Sequence, residues 1–172
     1  MKKIIFSFAL LLGLSIGMIA QTKVVVNNGA IGVDWKFKRS FLNGNALVVD
    51  FVVENNTSTD VSCVITPSFS ANPLGTIVLK AFDDEGNVYE SNALMGGAPF
   101  SGKIGGKNSL LNAWENIPVG NLIKVRLQIA GIDEFATKIN TLTVPIITDP
   151  SSGGLNQTYS ELRVTNIPIP RE

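Results

Sequence analysis

The fold of this chain is decided by residues 33–54, which read VDWKFKRSFLNGNALVVDFVVE. In each half, large apolar side chains stand at every second position, which is typical of a strand with one buried face. The turn-forming residues Asn43, Gly44 and Asn45 separate the two halves. The stretch therefore predicts an antiparallel hairpin with one face toward a dry core.

The hydrophobic pattern also predicts the register of this hairpin. A three-residue loop at 43–45 places large apolar side chains opposite one another, in the pairs Phe41–Leu47, Phe37–Phe51 and Trp35–Val53. Asn45 then takes the left-handed position, and Arg39 lies on the inner face near the sheet edge. Asp50 falls on the opposite face from Phe51, where we expect a Lys or Arg from a neighbouring strand to pair with it.

The rest of the chain continues as short strands separated by Asn, Gly, Asp and Pro. The predicted strands are 23–26, 33–42, 46–54, 61–66, 76–82, 87–91, 122–130, 139–147 and 158–167. Eight or nine strands at this spacing predict an all-β fold, an immunoglobulin-like antiparallel β-sandwich of two sheets. The length of 21–172 fits a single domain.

Residues 1–20 have the three-part pattern of a secretory signal peptide. Lys2 and Lys3 precede an apolar run, and small residues close the segment, with a cut after Ala20 or, alternatively, after Gly17. A retained membrane anchor is the competing interpretation, but the run is short and no basic stop-transfer cluster follows it. We expect an exported protein, periplasmic or extracellular, with no membrane span after cleavage. Cys63 lies too far from the signal for a lipoprotein.

Charge and composition exclude several functional classes. Removing Lys2 and Lys3 leaves 12 basic residues against 14 acidic ones, so the net charge gives no reason to expect nucleic acid as a partner. The chain has no histidine, which removes Ser-His-Asp and Cys-His catalysis and the commonest zinc ligand. Cys63, the only cysteine, alternates with apolar residues and is expected to be a buried thiol.

The glycine-rich segment 92–121 allows two interpretations. In one, it crosses between the sheets and residues 110–114 fill the core. In the other, it is a ligand-binding loop that presents Phe100, Lys103 and Lys107. Its residues 97–103 match the spacing of a phosphate-binding loop up to Lys103, but Ile104 replaces the required hydroxyl residue, so we expect no nucleotide and no other cofactor.

The turn at 83–87 gathers oxygen ligands. Asp83, Asp84 and Asn87 are a weak calcium candidate, but their spacing is not that of the helical calcium loop. An ordinary hairpin with Gly86 in the left-handed position is the alternative, and it pairs Phe82 with Val88 and Lys80 with Glu90.

Aromatic residues could form a sugar-stacking platform if several were exposed on one face. The candidates are Trp35, Tyr89, Phe100, Trp114 and Tyr159. Core packing is the expectation for the two tryptophans, because Trp35 belongs to the inner face of the hairpin and Trp114 has apolar neighbours.

Four features together resemble secreted bacterial proteins of Bacteroidetes type with an immunoglobulin-like β-sandwich. These are the signal at 1–20, the hairpin 82–89, the Asn116-Ile117-Pro118 turn before strand 124–129, and the closing strand 162–168. The resemblance implies a fold and an exported location, and it supplies no catalytic residues.

The resulting hypothesis is an exported, non-enzymatic β-sandwich that binds a protein or glycan partner or contributes to a surface or periplasmic assembly. A carbohydrate-binding module that uses exposed aromatics and the 92–121 segment is the alternative. A fimbrial subunit completed by a strand from another chain is a further one.

Overall fold

A computed structural model describes residues 23–29, 32–71, 75–95, 97–150 and 156–171. The predicted signal peptide lies outside these residues. The strands are β1 (Val25–Asn28), β2 (Val33–Asn43), β3 (Ala46–Asn55), β4 (Val61–Ile65), β5 (Ser68–Ala71), β6 (Gly75–Val78), β7 (Lys80–Asp83), β8 (Val88–Glu90), β9 (Phe100–Ile104), β10 (Glu115–Ile117), β11 (Leu122–Ile129), β12 (Lys138–Asp149) and β13 (Thr158–Pro168).

Two antiparallel sheets form the body of the fold. The four-stranded sheet has the order β2-β3-β11-β9. The seven-stranded sheet has the order β1-β13-β12-β4-β10, and β7 and β8 extend it from the other half of the long strand β12. The prediction of an all-β antiparallel sandwich is confirmed. Within the part of the chain described, no helix is long and apolar enough to cross a bilayer.

One hydrophobic core joins the two sheets. Phe51 and Leu127 of the four-stranded sheet and Ile146 and Leu162 of the seven-stranded sheet belong to the same buried cluster. Cys63 lies in this cluster and is fully buried, as predicted, and burial raises the pKa of its thiol to about 12. The fold therefore buries the alternate side chains of both sheets against each other.

The first hairpin, β2 and β3, has the predicted residue pairs away from the turn and different pairs next to the turn. Phe37 pairs with Phe51, their ring centroids 6.2 Å apart, and Trp35 pairs with Val53. The predicted three-residue loop is wrong: Asn43 pairs with Ala46 across a two-residue turn, and its left-handed residue is Gly44 (φ 62°), not Asn45.

A β-bulge between Phe37 and Arg39 explains why the register agrees with the prediction on one side of it and differs on the other. It adds one residue to β2, so every residue beyond it changes face. Arg39 therefore lies opposite Asp50 on the outer face, not opposite Val49 on the inner face as predicted, and Phe41 pairs with Val48.

The second hairpin has the predicted register. Phe82 pairs with Val88, Lys80 pairs with Glu90, and Gly86 has a φ of 90°. The predicted strand 76–82 is interrupted at the fully buried Leu79, so it forms β6 and β7.

The 92–121 segment carries structure of its own, as the first interpretation required. It contributes β9 to one sheet and β10 to the other, and Leu110 is buried in the core. The part of that interpretation that placed Trp114 in the core is wrong, because this residue is 40% exposed. Ile117 of β10 faces the core, and Trp114 stands an odd number of residues before it, on the outward side of the alternation.

Candidate functional site

A groove of about 450 Å³ lies on the outer face of the four-stranded sheet. β3 and β11 form its floor, and β2 and β9 form its two walls. Its charged lining comes from all four strands and consists of Lys38, Arg39, Asp50, Lys103, Lys124 and Arg126. Five cations and one carboxylate give the groove a formal balance of +4.

One row of paired residues crosses the groove from edge to edge. Lys103 pairs with Arg126, Arg126 with Asp50, and Asp50 with Arg39. Arg126 donates to both carboxylate oxygens of Asp50, from Nε at 2.7 Å and from Nη2 at 3.0 Å. Arg39 donates its Nε–H to Oδ2 at 2.9 Å. The carboxylate thus fixes two guanidiniums side by side.

These hydrogen bonds keep Asp50 ionised. The bonds from Arg126 and then those from Arg39 lower the pKa of the Asp50 carboxyl, against a desolvation that would raise it. The hydrogen bond to Asp50 in turn raises the pKa of the Arg126 guanidinium. The predicted basic partner of Asp50 is confirmed, and the structure supplies two.

Phe41 supports the guanidiniums from the side. The Arg39 guanidinium carbon lies 5.1 Å from the centroid of the Phe41 ring, and that of Arg126 lies 5.6 Å from it. Both distances suit cation–π contacts. This arrangement depends on the bulge in β2, because without it Phe41 and Arg39 would lie on opposite faces from those they occupy.

A second row on the same face lies two pairs further along the strands. Lys124 pairs with Val52, which pairs with Lys36. Lys36 lies 2.5 Å from Glu54 and 3.6 Å from Asp34, and the bond to Glu54 raises its pKa. Among the described residues, Lys38, Lys103 and Lys124 make no ion pair, so their ammonium groups are available to a ligand.

A glycine on β9, Gly102, lets that wall lie close to the floor. A Cβ at Gly102 would come within 1.9 Å of the carbonyl oxygen of Arg126, and φ at Gly102 is 146°. Gly105 lines the groove itself. Only a residue without a side chain lets β9 approach β11 this closely, which places Lys103 next to Arg126.

The predicted ligand-binding loop is divided by the structure. Lys103 lies in the groove and Lys107 is exposed outside it. The expectation that Phe100 is presented to a ligand is wrong, because Phe100 is 2% exposed and packs in the core. β9 also continues through residues 100–104, so the stretch that resembles a phosphate-binding loop leads into a strand and not a helix.

The calcium candidate is a hydrogen-bonded turn. The Asp83 carboxylate accepts bonds from the backbone of Glu85 and Asn87, from the Asn87 side-chain amide and from the Tyr89 hydroxyl. Asp84 accepts bonds from the backbone and the hydroxyl of Thr137. The turn's oxygens thus point toward N–H and O–H donors. No group of three metal-binding side chains occurs within the described ranges.

Two of the five aromatic candidates are accessible. Trp35, Tyr89 and Phe100 are buried. Tyr159 is 51% exposed and packs edge-on against Phe69 at 5.3 Å, and Trp114 is the other exposed ring. Three strand spacings separate β13, which carries Tyr159, from β10, which follows Trp114.

Sequence reasoning missed most of the groove. Lys38, Lys124 and Arg126 were not singled out, and Arg39 was placed on the wrong face. One local signal was present: Lys124 and Arg126 are two positions apart in a predicted strand and so share a face. The bulge, and the strand order that brings the floor and the two walls together, leave no comparable local signal.

No protein-family model matches the sequence, and none of the curated proteins matches it. Among solved structures, the chain is similar to the ASH / PapD-like domain of human CEP192 (PapD-like domain 7). The identity is 14% and the TM-score is 0.43, over 88% of this chain and 89% of that chain. A likeness at this level carries nothing about function to this chain.

Proposed function

We propose that this protein is an exported, non-enzymatic binding protein that contacts a macromolecular partner through the cationic groove of its four-stranded sheet. The observation that carries the proposal is the placement of five cationic side chains in one groove of a chain whose mature part has more acidic than basic residues. Such a charge asymmetry steers an oppositely charged partner to one face.

The groove is suited to binding more than to chemistry. Its one carboxylate, Asp50, is held by two arginines with its pKa lowered, so it is a poor proton acceptor and donor at neutral pH. Its lysines are exposed, and the backbone beneath them is tied into a continuous ladder. A rigid floor with fixed arginines gives a preorganised surface at little ordering cost.

The experiment compares two variants with the same change in charge. The groove variant carries Lys38→Gln, Lys103→Gln and Lys124→Gln, and the control carries Lys23→Gln, Lys80→Gln and Lys138→Gln on or beside the other sheet. Partners are captured from envelope extracts by the purified wild-type protein, and binding is then compared for each variant. We expect the groove variant to lose capture and the control to retain it. Equal capture by the groove variant would refute the groove as the binding surface.

A carbohydrate-binding module remains the second candidate, because Tyr159 and Trp114 are exposed. Stacking on a sugar ring needs one accessible aromatic face, and Tyr159 is additionally braced by Phe69. On a neutral glycan array, Tyr159→Ala would abolish binding if this candidate is correct, whereas the groove variant would leave it unchanged.

A further inference from the structure

We propose that the ligand of the groove is an acidic polysaccharide, a chain of sugars that carry carboxylate or sulfate groups. This inference rests on the proposed function and names the chemistry of its partner. It is carried by the charge, the shape and the hydrogen-bonding groups of the groove.

The charges are distributed to meet several anionic groups, not one. The row from Lys103 to Arg39 spans all four strands, a width of about 14 Å at the usual spacing between strands. Lys38, Lys103 and Lys124 lie at different points of this width, and none makes an ion pair in the described structure, so each ammonium group is available to an anionic group of a ligand. A polymer with repeated negative charges contacts these groups at several points at once.

The arginines supply directional contacts within this field. Arg39 gives only its Nε–H to Asp50, so the terminal nitrogens of its guanidinium can donate to a ligand. A planar guanidinium fork matches a carboxylate or sulfate in geometry. Because Asp50 and Phe41 already fix its orientation, binding costs Arg39 little side-chain entropy.

Neutral hydrogen-bonding groups extend the groove at one end. Ser101 and Gln128 form the next pair on the same face beyond Lys103 and Arg126, with Ser101 Oγ 3.3 Å from Gln128 Oε1. A hydroxyl and a carboxamide beside a cationic row suit a ligand that alternates charged groups with hydroxyls. Sugars have this alternation.

An acidic polypeptide fits the groove less well. Peptides that bind sheets gain affinity by adding a strand at an edge, where backbone donors and acceptors are free. The floor strands β3 and β11 pair with each other over eight residues and each has a further partner strand. Their backbone groups are used in the sheet, so recognition at the floor of the groove depends on side chains alone.

Nucleic acid and membranes are also poorer partners. Single-stranded nucleic acid needs aromatic faces for its bases, but the ring of Phe41 is accompanied by two guanidiniums and Phe51 points into the core. A bilayer surface is flat on this scale, whereas the lysines line a recess with walls on two sides.

The test uses defined polymers and isothermal titration calorimetry. The probes are alginate as a polyuronate, dextran sulfate, neutral dextran, poly-glutamate, single-stranded DNA and vesicles of phosphatidylglycerol with phosphatidylcholine. We expect the wild-type protein to bind alginate or dextran sulfate and not dextran, with affinity that falls as salt rises. The groove variant should bind at least about tenfold more weakly, whereas the charge-matched control should stay within about twofold.

Each result decides between the partner classes. Poly-glutamate, DNA or vesicles binding as tightly as the acidic polysaccharides would overturn the inference, and so would an equal loss in the control variant, which would indicate bulk electrostatics. The inference would also be overturned if the wild-type protein bound neither alginate nor dextran sulfate. If capture from envelope extracts still depends on the groove in that case, the proposed function stands and only the ligand class is wrong. Thermal melts of both variants check that these exposed substitutions leave the fold intact.

Discussion

Asp50 shows how one side chain can organise a surface. It lies on the outer face of a sheet between two valines of its own strand, where a lone carboxylate would be poorly solvated. Arg126 and Arg39 reach it from the strands on either side. The need for a basic partner could be predicted from the sequence, but its identity could not, because the face that Arg39 occupies depends on a bulge further along β2.

At this scale we predict that Asp50→Asn destabilises the protein in a pH-dependent manner. The folded-state pKa of Asp50 is lowered, so its contribution to stability is present above the unfolded-state value near 3.8 and is lost as the pH falls through the folded-state value. We expect a loss of about 1 kcal/mol in the free energy of unfolding at neutral pH, modest because the Arg39 and Arg126 side chains are 65% and 41% exposed and solvent screens both pairs.

Urea unfolding of wild type and Asp50→Asn, at about pH 7 and at about pH 2.5, measures this effect. The difference between the two proteins should be largest at neutral pH and should narrow at acid pH, as protonation of Asp50 in the wild type removes its charge. A difference of the same size at both pH values would mean that Asp50 stabilises by packing and not through its charge.

Cys63 gives a second prediction about a single residue. Its thiol is fully buried, and desolvation raises its pKa to about 12, so almost no thiolate exists near pH 8. We expect a thiol-reactive disulfide reagent to label the native protein only as fast as the protein unfolds, and to label the urea-unfolded protein at once. Fast, complete labelling of the native protein would contradict the buried position.

At the scale of elements, the bulge in β2 decides which side chains reach the groove. The alternation of residues 33–41 is interrupted only at Arg39 and resumes in phase at Phe41, because a phenylalanine stands on each side of the bulge at an even spacing. In the structure Phe37 packs against the core and Phe41 lies with the arginines. The sequence pattern does not show that the two phenylalanines lie on opposite faces, because an aromatic ring can pack in the core on one face or against a guanidinium on the other.

The turn of the same hairpin provides a clean test of its geometry. Gly44 has a φ of 62°, and a Cβ built there would meet no atom within 4 Å, so any cost of Gly44→Ala comes from the backbone alone. We predict a loss of about 1 kcal/mol, read from the midpoint of urea unfolding.

The matched control is Gly106→Ala, since Gly106 also has open space but has no left-handed φ. It should leave the midpoint unchanged or raise it slightly, because alanine restricts the unfolded chain. Equal losses at the two glycines would indicate that Gly44 is not held in the left-handed region.

For the whole molecule, the sequence predicts the type of fold better than the site. Most of the long strands could be predicted from their alternation, whereas β9 and β10 could not, because one has a glycine at its centre and the other has only three residues. The groove combines residues 38, 103 and 124, which are far apart in sequence and share one face only because β9 and β3 flank β11 and β2 pairs with β3. Strand order of this kind is set by packing across the whole core.

The last prediction concerns cooperativity between the two sheets. Trp35 lies in one sheet and Cys63 in the other, and both belong to the core cluster that joins the sheets. The hydroxyl of Ser40 also donates to the carbonyl oxygen of Pro168 across the sandwich at 2.7 Å. Since neither sheet can keep its inner face dry without the other, we expect both to unfold in one transition.

The measurement uses a Trp114→Phe background, so that Trp35 is the only tryptophan. Fluorescence of Trp35 and pulse labelling of Cys63 should then give the same urea midpoint, and circular dichroism of the variant against wild type checks that the substitution does not shift it. If Cys63 became reactive at a lower urea concentration than that at which Trp35 is exposed, the seven-stranded sheet would be opening on its own. The chain would then consist of two units, and the groove on the four-stranded sheet would not need the rest of the sandwich to hold its shape.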